Sequence, residues 1–235
     1  MPPLVCGRII EIEGEKYAMT TRALLPAVLA LTGVGLFAQD ADRIARYLAM
    51  LERPEREAFQ KPAQVLAALA FRPGERVADI GAGSGYFTLP VARAVGPGGI
   101  VWALDIRQAM LDYIDKRLKA ENISNVHLKL VPAEDPQLAP GSVDTILMVD
   151  VYHYIHYEKR GAEYAPKLRP ALTPGGRVAI IDYIPKPITE RDWGPPPEQQ
   201  MSRETLDSYM AQGGFKPAKV HTFLPEQYFV EYVAR

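Results

Sequence analysis

An acidic residue followed by alternating glycines is the feature of this sequence with the clearest chemical meaning. Asp79 stands two residues before Gly81, and Gly83 and Gly85 follow at the same spacing. Glycines permit positive φ and lack the Cβ atom that would hold a ligand away from the backbone. A short apolar run precedes them and a helical apolar pattern follows, so the segment predicts a strand, a ligand-binding turn and the N-terminus of a helix.

The charge of Asp79 limits the kind of ligand that this turn would take. A carboxylate at this point would repel a pyrophosphate group but attract a cation. Dinucleotide-binding turns also place glycine where this chain has the bulky Tyr86. The pattern therefore favours a nucleotide-like ligand that carries a positive charge, and it argues against a nicotinamide-dependent oxidoreductase of the same fold class.

The run from Val77 to Thr88 closely resembles the first motif of the class I S-adenosylmethionine-dependent methyltransferases, in which an acid precedes three alternating glycines. This resemblance implies that the loop 81–85 lies beneath the amino-acid end of S-adenosyl-L-methionine and that Asp79 helps to hold its ammonium group. It also implies methylation of a small, apolar or aromatic molecule on an O-, C- or N-atom, in a domain similar to the ubiquinone/menaquinone-biosynthesis methyltransferases.

Strand and helix patterns alternate along the chain, and this alternation predicts a parallel sheet covered by helices. After the strand that leads into Gly81, the predicted strands are 100–105, 126–131, 143–149 and 177–183, with a helix over 158–171 before the last. Two final runs, 219–223 and 228–233, are joined by four residues, a link so short that it requires an antiparallel hairpin. We therefore expect an α/β fold with a Rossmann-like seven-stranded sheet, mostly parallel with a C-terminal antiparallel hairpin, and helices on both faces.

Acidic residues also follow the second and third predicted strands. Asp105 ends the second strand twenty residues after Gly85, where an acid accepts hydrogen bonds from both ribose hydroxyls in nucleotide-binding α/β folds. Ile106, the next residue, is expected to lie against the adenine face. The resemblance implies that an acid after the third strand receives the adenine amino group. Glu134 and Asp135 both fit that position, and Asp135 is favoured.

Polar and aromatic side chains crowd the end of the fourth strand, where open α/β sheets place their ligands. The resemblance puts Asp150 where cofactor and acceptor meet, with Tyr154 in the same catalytic cluster. His153 is the candidate general base, because a neutral imidazole accepts a proton near pH 7; the alternative is that it only hydrogen-bonds its own loop. Aromatic faces also stabilise a cationic sulfur. The candidates for that contact are Tyr86, Tyr152, Tyr154, Tyr183 and Trp193.

The chain divides into three predicted segments. Residues 75–235 form the methyltransferase domain, and 39–74 carry helical patterns that in the resembling family cap the cofactor and shape the acceptor pocket. Residues 1–38 form an extension in which 23–38 carry no charge. A signal or tether over 19–38 and an apolar helix packed on the domain both fit, and no stable membrane span is expected. The expected location is cytoplasmic, with export or membrane tethering through 19–38 as the alternative.

The composition excludes several classes of protein. A net charge of -1 argues against a nucleic-acid partner, since such modules usually carry a basic surplus. A single cysteine, Cys6, excludes an internal disulfide and a cysteine-rich zinc site, and no metal is expected. Two functions remain in view: an active methyltransferase with a small-molecule acceptor, and a non-catalytic cofactor-binding or exported interaction protein.

Overall fold

The structure is a computed structural model that describes residues 42–187 and 194–235. The signal or apolar helix expected within 1–38 and the aromatic contact expected for Trp193 fall outside the described residues. Among the helices of the two described stretches, none combines the length and the apolar character that crossing a bilayer requires.

A seven-stranded sheet runs through the described residues in the order β3-β2-β1-β4-β5-β7-β6. Its strands are β1 (Arg76–Ile80), β2 (Ile100–Asp105), β3 (Val126–Leu130), β4 (Val143–Val149), β5 (Leu172–Tyr183), β6 (Phe215–His221) and β7 (Gln227–Ala234). Neighbouring strands from β3 through β5 are parallel, whereas β7 pairs antiparallel with both β5 and β6. The expected mostly parallel sheet with a C-terminal antiparallel hairpin is confirmed.

Helices connect most of the strands. They are α1 (42–51), α2 (Arg56–Gln60), α3 (Pro62–Leu69), α4 (Thr88–Val95), α5 (Gln108–Ala120), α6 (Tyr152–Tyr157), α7 (Gly161–Leu168) and α8 (Arg203–Gln212). Local sequence explains several of their ends. Pro62 is the first residue of α3, where its missing N–H costs nothing. The hydroxyl of Ser202 accepts a hydrogen bond from the N–H of Thr205 and so caps α8.

The core lies on both faces of the sheet because successive strand residues point to opposite sides. Ile146 and Met148 of β4 belong to one buried apolar cluster, while Leu147 between them belongs to another. The same alternation separates Ala78 from Val77 in β1. Strands buried on both faces read as continuous apolar runs, which is why the central strands could be recognised from the sequence.

The structure differs from the sequence predictions at the ends of several elements. The expected helix over 158–171 corresponds to the shorter α7 followed by a 3-10 turn (Arg169–Ala171), and a separate helix, α6, ends before the predicted start. The last strands also shift, since β6 covers Phe215–His221 rather than 219–223. β6 includes Pro217, which an edge strand tolerates because an N–H facing solvent is not needed for pairing, and its register shifts between Pro217 and Lys219.

The topology fixes where a ligand site would lie. Chain connections leave β1 toward β2 on one side, and the order then reverses to place β4 on the other side of β1. In open α/β sheets, ligands bind outside the carboxyl ends of the strands at such a reversal. The segments that follow β1, β2 and β4 are therefore the ones that must form the site.

A buried ionic cluster joins four segments near the amino end of β1. The side chains of Glu75 and Glu231 are almost fully buried, and Arg177 lies between them. Its guanidinium nitrogens are 3.6 Å from a Glu75 carboxylate oxygen and 3.1 Å from one of Glu231. The hydroxyl of Thr145 in β4 donates a further hydrogen bond of 2.6 Å to Glu75. This cluster ties β1, β4, β5 and β7 together.

We expect Arg177→Met to destabilise the fold strongly, because it leaves two buried carboxylates without their shared cation. Removing one partner of a buried ion pair costs about 3–5 kcal/mol. His221 and Lys219 remain beside Glu231, so the low end of this range, about 3 kcal/mol, is expected in the free energy of unfolding. Urea denaturation followed by circular dichroism measures the loss.

The matched control is Arg93→Met, which removes an arginine from a solvent-exposed pair with Glu121. Exposed pairs contribute little, so this variant should lose less than about 1 kcal/mol. Equal losses in the two variants would show that the Arg177 cluster is not a specific support of the sheet.

Candidate functional site

A cavity of about 490 Å³ opens at the ends of β1, β2 and β4, with side chains of α1 and α2 on its other wall. The predicted site residues that line it are Asp79, Gly81, Gly83, Tyr86, Asp105, Ile106, Asp150 and Tyr154. These residues come from segments that are separated along the chain, and the parallel sheet brings them into one space.

The other predicted site residues do not line this cavity. A Cβ atom on Gly85 would come within 2.9 Å of Leu89 Cδ1, so this glycine permits close packing of the following helix. The carboxylate of Glu134 lies 3.5 Å from the guanidinium of Arg160. The ligand roles assigned to Gly85 and Glu134 stay predictions.

Asp135 and its loop are also placed differently from the expectation. The Asp135 carboxylate accepts a 2.7 Å hydrogen bond from the N–H of Gln137, an interaction that closes its own turn. Val131, Pro132 and Ala133 are the residues of this loop that line the cavity. The role of Asp135 toward an adenine amino group stays a prediction.

The turn after β1 is held by backbone contacts that glycine makes possible. The N–H groups of Gly81 and Ala82 both donate to the carbonyl of Leu104 at the end of β2, at 2.8 and 3.0 Å. Gly81 has a φ of +74°, and a Cβ atom there would lie 2.3 Å from a methyl group of Val151. A larger residue would therefore push apart the segments that follow β1 and β4.

Asp79 is a buried carboxylate at the cavity wall. Its Oδ2 accepts a 2.6 Å hydrogen bond from the hydroxyl of Thr88, the first residue of α4. Burial raises the pKa of Asp79 to about 6, and the nearby charge of Asp105 adds to this rise. A bound cation would favour the ionised form, so the position suits a positively charged ligand group.

Asp105 is fixed by two backbone donors. Gly83 donates its N–H to Oδ2 and Arg107 donates its N–H to Oδ1, each at 2.9 Å. Burial raises the pKa of Asp105, while these hydrogen bonds oppose the rise. Each oxygen keeps a further lone pair, so the oriented carboxylate can also accept from two hydroxyls of a ligand. Ile106 next to it is 56% exposed and offers an apolar surface in the cavity.

Asp150, directly after β4, adopts a left-handed backbone conformation with a φ of +58°. Its Oδ2 accepts a 2.6 Å hydrogen bond from the side-chain amide of Gln60. Its Oδ1 accepts another from the side-chain amide of Gln227. Burial, followed by the charge of Asp182, raises the pKa of Asp150 to about 7, and Arg56 opposes this rise. The group therefore changes its charge near neutral pH.

His153 is buried next to the cavity without lining it. Its Nδ1 lies 2.7 Å from Oδ1 of Asp182, and its backbone N–H donates to the other oxygen of that carboxylate at 2.9 Å. Its ring packs against Tyr154, with 4.2 Å between ring centroids. The role of His153 as a general base stays a prediction. Tyr154 lines the cavity, and burial raises its pKa to about 12, so its phenol is neutral near pH 7.

Sequence reasoning missed several residues of the opposite wall. Tyr47, Leu51 and Arg56 line the cavity from α1 and α2. The Arg56 guanidinium lies 4.1 Å from the ring centroid of Tyr86 and donates to Gln60 at 2.7 Å. The helical patterns of 39–74 predicted a cap over the site, but they did not single out these three residues.

The arrangement can orient a charged, nucleotide-like ligand next to a second molecule. Three carboxylates at strand ends supply charge and hydrogen-bond acceptors, and the aromatic wall supplies an apolar surface. Within residues 42–187 and 194–235, no group of three or more His, Cys, Asp or Glu side chains is placed to hold a metal ion.

Comparison with known proteins shows what this domain is similar to. Residues 77–176 match the family model described as "Methyltransferase domain". Nocamycin O-methyltransferase of Saccharothrix syringae is 30% identical over 123 residues, which cover 52% of this chain and 42% of that protein. A ubiquinone/menaquinone biosynthesis C-methyltransferase of Burkholderia mallei is 32% identical over 119 residues, 50% of this chain and 47% of that protein. The chain thus matches less than half the length of these curated relatives.

A solved structure extends the similarity to most of the described fold. The SAM-dependent methyltransferase from Aquifex aeolicus superposes with a TM-score of 0.72 at 24% identity, over 80% of this chain and 97% of that one. The structural similarity, the domain match and the resemblance of the glycine motif agree with one another. Residues 77–176 thus match a methyltransferase domain model, and the described fold is similar to that of a solved S-adenosylmethionine-dependent methyltransferase.

Proposed function

We propose that this protein binds S-adenosyl-L-methionine in the cavity at the ends of β1, β2 and β4 and transfers its methyl group to a small apolar or aromatic molecule. The observation that carries this proposal is the convergence of Asp79, the glycine turn and Asp105 around one cavity. Each of them offers the chemistry that one part of the cofactor needs.

The residues along this wall suit successive parts of the cofactor. Asp79 faces the ammonium group, because its buried carboxylate is stabilised by a cation. Asp105 accepts hydrogen bonds from the ribose hydroxyls, and Ile106 packs on the adenine ring. The adenine edge then meets the loop of Val131 to Ala133, whose residues line the cavity beyond β3. The reactive methyl group points toward Asp150 and Tyr154.

The remaining space suits an apolar or aromatic acceptor. Tyr47, Leu51, Tyr86 and Tyr154 line the cavity on the side of α1, α2 and α6. Aromatic faces also favour the positive sulfur of the cofactor. The sulfonium is an activated donor, so alignment of donor and acceptor supplies a large part of the rate. We place this reaction in the cytosol, where the cofactor is made.

The proposal is tested by incubating the purified full-length protein with methyl-labelled S-adenosylmethionine and a small-metabolite extract. We expect a labelled small molecule that is absent when the protein is heat-inactivated. Mass spectrometry of the labelled product identifies the acceptor atom. Tight cofactor binding without any labelled product would instead favour a non-catalytic cofactor-binding protein.

The role of Asp105 gives a direct binding prediction. Asp105→Ala removes the acceptor of the ribose hydroxyls and the partner of the Gly83 N–H. Hydrogen bonds to a charged group contribute about 1.5–3 kcal/mol, so the Kd for S-adenosylmethionine should rise at least about tenfold. Isothermal titration calorimetry measures it. Asp112→Ala, which removes an exposed carboxylate bonded to Gln108, serves as the control and should leave the Kd unchanged.

The raised pKa of Asp79 leads to a prediction of how cofactor binding depends on pH. Its pKa is about 6 without ligand, and the bound ammonium group requires the ionised form. When binding requires a group to be deprotonated, the affinity falls about tenfold for each pH unit below the pKa of that group. The Kd should therefore rise about tenfold between pH 7 and pH 5. In Asp79→Asn, calorimetry should find weaker binding with a much smaller pH dependence. If Asp79→Asn kept the pH dependence of the wild type, another group would be its cause.

A further inference from the structure

The carboxylate of Asp150 is held by two buried amides from distant parts of the chain. Gln60 ends α2, Gln227 begins β7, and both side chains are almost fully buried. Each amide donates to a different oxygen of Asp150. These two hydrogen bonds fix the rotation of the carboxylate about the Cβ–Cγ bond. Asp150 still lines the cavity.

The orientation of Gln227 indicates that this arrangement is specific. Its amide nitrogen faces Asp150, and its own Oε1 is buried without a hydrogen-bond partner among the described residues. The opposite orientation would place two oxygens against each other. In this orientation Gln227 donates a hydrogen bond to one carboxylate oxygen of Asp150, and Gln60 donates to the other.

Several groups around Asp150 set its charge. They are Arg56 from α2, Asp182 and Tyr183 from β5, His153 and Tyr154 from α6, Tyr47 from α1 and Tyr228 from β7. The amide donors and Arg56 favour the ionised carboxylate, whereas burial and Asp182 favour the protonated one. Opposing influences of this kind let a carboxyl group accept and release a proton near neutral pH.

We propose that Asp150 is the general base of the methyl transfer, that Gln60 and Gln227 are its positioning residues, and that the acceptor is an aromatic hydroxyl. This inference rests on the proposed methyltransferase function. It differs from the sequence-based assignment of the base to His153, whose Nδ1 is engaged by Asp182 and whose ring does not line the cavity.

The chemical step balances without any further reactant. The hydroxyl oxygen of the acceptor attacks the methyl carbon of the sulfonium, and a new oxygen–carbon bond forms. The sulfur–carbon bond breaks, and its electron pair stays on sulfur to give the neutral thioether S-adenosylhomocysteine. The hydroxyl proton moves to Asp150 and later leaves to solvent.

A hydroxyl is an acceptor that needs such a base. A neutral amine attacks first and loses its proton afterwards, whereas a neutral hydroxyl is a poor nucleophile until its proton is removed. The cavity that Asp150 lines is also lined by Tyr47, Tyr86 and Tyr154, which suit an aromatic ring. Tyr154 is itself neutral near pH 7 and cannot serve as the base at that pH.

The first test compares wild type with Asp150→Asn on phenols of graded acidity, using methyl-labelled S-adenosylmethionine at saturation. The amide keeps the shape of the side chain, and asparagine tolerates the left-handed backbone. For weakly acidic phenols we expect kcat to fall by about 100-fold or more, the range for loss of a general base. For 4-nitrophenol, which is already ionised at pH 8, the loss should be less than about tenfold.

The second test uses the positioning residues. Gln60→Met and Gln227→Met each remove a donor to the ionised carboxylate, so the acid side of the pH profile of kcat should move upward by about one unit. Gln200→Met is the matched control: its amide bonds the backbone of Lys186 and Pro195 rather than Asp150, so the profile should stay in place. A purely structural role would lower the yield of folded protein without moving the profile.

Each outcome decides one of the two proposals. Failure of wild type to bind S-adenosylmethionine in calorimetry overturns the methyltransferase function itself. Cofactor binding with no label on any phenol overturns the acceptor class. An equal loss for weakly acidic phenols and 4-nitrophenol in Asp150→Asn, or unmoved profiles in both glutamine variants, overturns the role of Asp150 as base.

Discussion

Three carboxylates at the ends of neighbouring strands are withdrawn from bulk water, and the candidate site depends on this constraint. Asp79 is the last but one residue of β1, Asp105 ends β2 and Asp150 follows β4. Burial is the largest cause of the raised pKa in each. The charge of Asp105 also raises the pKa of Asp79, and such repulsion is stronger in the cavity than it would be in water. A cationic ligand group next to Asp79 would relieve it.

Much of the fold and of the cofactor wall could be predicted because the relevant signals are local. The spacing of Asp79 and Gly81 predicted a strand and a turn, and the short link between the last two strands required a hairpin. Strand ends then indicated Asp105 and Asp150, since the carboxyl ends of parallel strands meet at one edge. The structure places all of these residues around the same cavity.

The partners of Asp150 and the directions of the loop side chains depend on tertiary contacts that the local sequence does not encode. Gln60 and Gln227 lie 90 and 77 residues from Asp150, and neither stands in a pattern that differs from an ordinary polar position. The direction of a loop side chain is equally hidden: Glu134 approaches Arg160, so two adjacent acids in the sequence could not be ranked by their composition alone. Tertiary packing decides such cases after the backbone is formed.

The proposed acceptor space is lined by Tyr47 and Leu51, which precede the span 77–176 that matches the methyltransferase domain, and by Tyr86 and Tyr154, which lie inside it. Gln60 precedes this span and Gln227 follows it, whereas Asp79 and the rest of the cofactor wall lie inside it. Similarity within the span therefore concerns the methyl donor. It does not determine the methyl acceptor, because the relatives include both O- and C-methyltransferases. Asp150 is where the two parts meet, because it follows a strand of the matched domain and is oriented by side chains from outside it. The chemistry of the acceptor must accordingly be argued from this carboxylate rather than from the relatives.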